Sequence, residues 1–143
     1  MTTLVIACGN TLRGDDQAGW RVADFVEKAR PAGVEVRRVH QLTPELAESL
    51  AGADRTILVD ASEGSRSSFK RVRARAGAAL THYLDAETLA GLAERLYGTS
   101  PEVYLLTVPG DSFDLSEGLS AAAARRAERA ARRLITFLET SHA

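Results

Sequence analysis

The sequence predicts an α/β fold: a mostly parallel sheet with helices on both faces. Three observations predict it. Short strand-like runs alternate with longer runs of helical periodicity, in the order β-α-β-α-β-β-α-β-α. The first of the strand-like runs is apolar along its whole length, as strands buried on both faces are. The fourth turns arginines outward, as an edge strand does to avoid pairing with neighbours, and is expected to be the one antiparallel edge strand.

The elements follow in order. "TLVIAC" (3–8) reads as a buried strand stopped by Gly9-Asn10. "DDQAGWRVADFVEKAR" (15–30) reads as a helix with Trp20, Val22, Ala23, Phe25 and Val26 on its apolar face. Asp15 or Asp16 suits its N-cap, and Pro31 and Gly33 end it. "VEVRRV" (34–39) is an alternating strand. "LTPELAESLAG" (42–52) is a short helix with Thr43 as N-cap, Pro44 in the first turn and Gly52 at its close. "RTILVDA" (55–61) is a third strand, and "SEGSRSS" (62–68) a loop by composition. "FKRVRARAG" (69–77) alternates Val72, Ala74 and Ala76 against Arg71, Arg73 and Arg75. "DAETLAGLAERLYG" (85–98) is a helix with Leu89, Leu92, Ala93 and Leu96 on one face. "EVYLLTV" (102–108) is the fifth strand, closed by Pro109-Gly110. The run 116–140 is the last helix, with Leu119, Ala123, Ala127, Ala130, Leu134 and Leu138 inward.

A chain of 143 residues, 45% hydrophobic and 26% charged, is expected to be one domain over 1–143 with a core that needs no disulfide. Eighteen basic and nineteen acidic residues leave a net charge of −1, which calls for neither nucleic acid nor a membrane surface. The arginines of the last helix read as a solvated face, interrupted by Glu128. A single cysteine, Cys8, fits a reducing compartment. The N-terminus lacks a basic n-region, and no stretch nears the roughly 18 apolar residues of a membrane span. A cytoplasmic monomer is the expectation.

Open α/β sheets bind ligands beyond the carboxyl ends of their strands, where the strand order reverses. The stretch "LVIACGNTLRGDDQAGW" (4–20) starts like a phosphate-binding turn, yet offers Asp15 and Asp16 to that crevice. Carboxylates there would repel a phosphate, which argues against a nucleotide-binding module. The third strand ends in Asp60. Two acids in one crevice need a cation or a proton between them. A third donor is sought at the same edge. His142 lies in the C-terminal tail, His40 ends the second strand, and His82 precedes a helix start in a loop. His82 is preferred over His40. One imidazole and two carboxylates leave open positions on a transition metal. The chain has neither a G-x-S-x-G elbow nor a G-x-x-x-x-G-K-[ST] loop. Cys8, inside its strand, reads as a small hydrophobe.

"GNTLRGDDQAGW" resembles the G-N-x-L-x-x-D-[DE]-x-x-G stretch of the [NiFe]-hydrogenase maturation endopeptidases. The likeness continues through "HQLTPELAE", "ILVDAS", "THYLDAETLAGLAERLYG", "PEVYLLTVPG" and "EGLS", in order over nearly the whole chain. It departs at Gln17, Tyr83 and Asp85-Ala86, and none of these removes a ligand. The resemblance implies a three-layer α/β/α sandwich around a five-stranded sheet. It implies an endopeptidase that removes a C-terminal peptide from the hydrogenase large-subunit precursor after nickel insertion. It implies Asp16, Asp60 and His82 as the metal-contacting and catalytic residues. The cofactor would be nickel supplied by the substrate, with other divalent metals able to take its place. Asp15 and Asn10 would serve as helix cap or behind the ligands. The alternative is a module on the same fold that checks the precursor for nickel without cutting it.

Overall fold

The computed structural model describes residues 1–10, 14–62, 66–75, 85–110 and 118–140. β1 (Thr3–Cys8) is buried over its full length because both its faces are covered. Val5 and Ala7 point to one face, into the core formed by α1 (Ala18–Ala29) and α4 (Ala121–Thr140). Leu4 and Ile6 point to the other, into the core formed by α2 (Leu46–Gly52) and α3 (Ala86–Tyr97). Each helix lays its apolar stripe on the sheet, and the result is the three-layer sandwich.

The sheet has five strands. With β2 (Val34–Val39), β3 (Arg55–Ser62), β4 (Ser68–Val72) and β5 (Glu102–Pro109), its order is β2-β1-β3-β5-β4. The pairs β1–β2, β1–β3 and β3–β5 are parallel, and β4–β5 is antiparallel. From β1 the chain moves to β2 on one side, then crosses to β3 on the other. The crevice that this reversal opens lies at the carboxyl ends of β1 and β3.

Several expected boundaries move. The fourth strand stops at Val72, and Ala74 is exposed. Val72 lies opposite Val103, while β5 begins at Glu102, so its partner runs out. The chain turns instead to the start of α3, where the Arg75 N–H donates to the Glu87 carbonyl and its guanidinium pairs with Asp85 and Glu87. Leu96, expected inward, is 59% exposed in the last turn of α3. Residues 15–17 belong to a 3-10 turn (Gly14–Gln17), and Gln17, not an aspartate, holds the cap position of α1. Thr43 does not cap α2; its carbonyl and that of Pro44 close turns ahead of the helix, which starts at Leu46. The last helix starts at Ala121 rather than at 116, with the Ser120 hydroxyl accepting from the Ala123 N–H at 3.2 Å. No helix among the described residues is long and apolar enough to cross a membrane.

Candidate functional site: an acidic cleft at the ends of β1 and β3

Asp60 sits within the last residues of β3, beside Thr107 of β5. The apolar run before it, Ile57 to Val59, is fully packed, so the strand delivers a carboxylate to the rim of the core. Asp16 comes from the 3-10 turn after β1. The two line one cleft of about 310 Å³, together with Cys8, His40, Gln41 and Leu42 and with apolar walls from Leu58 and Leu105.

The electrostatics follow from burial. Desolvation pushes Asp60 from its ordinary 3.8 up to about 6; the Ala61 N–H, donating at 2.9 Å, pulls the other way, and the charge of Asp16 adds to the rise. Cys8, buried and unpaired with any other cysteine, is pushed up to about 12 by desolvation first and then by Asp60 and Asp16. A thiol so disfavoured as thiolate is no nucleophile, which leaves it as the small hydrophobe its strand suggested.

A buried Asp60 whose ionisation the charge of Asp16 makes costlier fits a cation, which would offset both desolvation and repulsion. The two carboxylates make two arms of such a site. Among the described residues, no group of three His, Cys, Asp and Glu side chains is arranged to hold an ion. His82, the expected third donor, lies outside the described residues. His40, the histidine passed over, lines the cleft. Asp85 lines it as well, but its Oδ1 accepts from the Thr88 N–H at 2.8 Å as the cap of α3. The side-chain and backbone bonds to Thr88 hold its carboxyl below the ordinary range. The signal for both was positional: His40 directly follows β2, and Asp85 directly precedes α3.

Asp15 faces away from this cleft's lining and does different work. It is 0% exposed and accepts from the Ser120 N–H at 2.7 Å and the Ser120 hydroxyl at 2.9 Å. It thereby fastens the turn after β1 to the start of α4, 105 positions later. Asn10 stands at the near end of that turn, its N–H donating to the Asp16 carbonyl at 3.3 Å. Asp15→Ala is expected to lower stability by about 2 kcal/mol, because a buried backbone N–H and hydroxyl lose their acceptor. Urea denaturation measures this directly.

Glycines set the approach of α1. A Cβ on Gly19 would stand 2.5 Å from the Cys8 carbonyl oxygen, and one on Gly9 would stand 2.7 Å from Cδ1 of Trp20. The N-terminal turn of α1 can press on the ends of β1 and β3 only where side chains are missing.

No protein-family model matches this chain, and a search of curated proteins finds no match. Solved structures do match. HYBD, a hydrogenase maturating endopeptidase from E. coli, superposes with a TM-score of 0.76 at 25% identity, over 99% of this chain and 94% of that one. HycI, a [NiFe] hydrogenase maturation protease from Thermococcus kodakarensis, gives 0.74 at 23% identity, over 97% and 93%. A hydrogenase 2 maturation peptidase from a Thaumarchaeota archaeon gives 0.70 at 24% identity, over 96% and 98%. With the whole architecture shared over almost the full length of each chain, the protein has the fold of the hydrogenase maturation endopeptidases.

Proposed function

We propose that this protein removes the C-terminal extension of a [NiFe]-hydrogenase large-subunit precursor after nickel insertion, and that it recognises the nickel of that substrate. The observation that carries the reading is the convergence of Asp16 and Asp60 in one partly desolvated cleft at the reversal point of the sheet. A partly desolvated cleft that brings two acids together is complementary to a substrate that brings its own cation. Asp16 and Asp60 would be the arms that hold it, with His82 as third donor. A metal held at this place would polarise a carbonyl and lower the pKa of water. The chain's own part is to present both carboxylates from rigid elements, to exclude water with Leu58 and Leu105, and to keep the Cys8 thiol protonated. Cytoplasmic action on a folded precursor, as a monomer, completes the reading.

Asp16→Asn keeps the shape of the side chain and removes its charge. It is expected to leave a folded protein whose processing of a nickel-loaded precursor falls by about 100-fold or more. Mass spectrometry of the precursor's C-terminus reads the outcome, and processing at the wild-type rate would refute the assignment.

A further inference from the structure

The cleft holds a histidine that the two-carboxylate reading leaves unused. His40 follows β2 directly and lines the cleft that Asp16 and Asp60 line. Its ring is fixed from two sides. Nδ1 lies 3.2 Å from the Gly9 carbonyl oxygen, and the ring packs on Trp20 with centroids 5.3 Å apart. Trp20 is itself held, its Nε1–H shared between the carbonyls of Ala7 and Val39 at 3.1 Å each. Gly9 is the residue that lets Trp20 approach, since any Cβ there would collide with the indole.

This cradle decides the tautomer. A carbonyl oxygen only accepts, so Nδ1 must carry the proton that bonds to Gly9. In the neutral ring Nε2 is then bare, with its lone pair available and its direction set by packing. His40 is an exposed residue that lines the cleft. Imidazoles arranged in this way serve as metal ligands or as proton acceptors. Among the described residues His40 does not complete an ion-holding group with the aspartates. Asp85 is occupied by Thr88 and Arg75, and the two other carboxylates are assigned to the substrate's cation. A proton acceptor is the role left open in the cleft.

We infer that His40 accepts the proton of the attacking water during peptide cleavage, through Nε2. The inference rests on the endopeptidase reading above. As the water oxygen bonds to the scissile carbonyl carbon, the C=O π pair moves to the carbonyl oxygen and a water proton passes to Nε2. On collapse that pair re-forms the C=O bond, the C–N bond breaks, and the Nε2 proton passes to the leaving nitrogen. The products are a carboxylic acid and an amine, and His40 returns to its starting state.

The test compares wild type, His40→Gln and His40→Ala on a nickel-loaded large-subunit precursor. Gln keeps an N–H donor for the Gly9 carbonyl and lacks a basic nitrogen. Expected are kcat values lowered about 100-fold or more in both variants, KM changed by less than about threefold, and recovery of His40→Ala by added imidazole. Cleavage by His40→Gln at the wild-type rate would overturn the inference, since the histidine would then only brace Gly9 and Trp20. Loss of activity in His40→Ala that imidazole does not restore would overturn it as well. A wild-type protein that cuts no precursor would instead overturn the endopeptidase reading, and this inference with it.

Discussion

Asp60→Asn is expected to be more stable than wild type at pH 7, by up to about 3 kcal/mol, and inactive in precursor processing. The two effects share one cause. Burial raises the folded-state pKa of Asp60 to about 6 from an ordinary 3.8, with the charge of Asp16 adding to it. Above pH 6 the group is ionised in both states, and the folded state carries the full cost of a desolvated carboxylate. Between about 6 and 3.8 the folded protein takes up a proton before the unfolded chain does, so the cost shrinks as pH falls. Below 3.8 both states are protonated and the contribution is gone. The gap between the variant and wild type should therefore be widest at neutral pH and close towards pH 4. Chemical denaturation of both proteins across that range measures it. A constant gap, or a less stable variant at pH 7, would contradict the electrostatic account of the cleft. The cost is the structural counterpart of the proposed function: a carboxylate held at a loss until a cation arrives. A divalent cation such as Ni²⁺ should accordingly stabilise wild type more than the variant.

Gly19→Ala is expected to cost about 3 kcal/mol or more and to shift the first turn of α1 away from the sheet. The new methyl would meet backbone on both sides, the Cys8 carbonyl oxygen at 2.5 Å and the Val59 carbonyl oxygen at 3.2 Å. Backbone in the central strands cannot yield as a side chain tip would. Gly52→Ala is the control. Nothing lies within 4 Å of a Cβ there, at the last residue of α2, so a change within about 1 kcal/mol is expected, in the stabilising direction. Thermal melts of the two variants, side by side, separate steric exclusion from the general effect of adding a methyl.

The pattern of the sequence made the elements legible where the pattern is local. β1 is apolar throughout because it is covered twice, and the helices show their stripes because each meets a sheet. The edge position and antiparallel direction of β4 were legible from its outward arginines. Its end was not. Arg73 to Arg75 continue an alternation that looks like strand, but a strand needs a partner, and β5 begins too late to supply one. Leu96 fits the stripe of α3 by spacing, yet it falls in a turn left to solvent. Of the site, the acids at the ends of β1 and β3 could be named from the chain. Their division of labour came from the position of each in the family motif and not from residue type, since Asp15 and Asp16 are adjacent and chemically identical; the Ser120 partner of Asp15 was not legible. Asp15 turns to Ser120, and Asp16 to the cleft.

By itself, then, the sequence determined the order of strands and helices, the faces they bury, and the end of the sheet at which acids collect. Those properties repeat every two or every three to four residues and need no knowledge of what lies opposite. Only the tertiary structure decided that α1 and α4 share one face, that Asp15 meets Ser120, that Gly19 must have no side chain, and that His40 stands over Trp20 in the cleft of Asp16 and Asp60. Each of these joins residues remote along the chain, and what a side chain does there depends on the neighbour that folding brings to it.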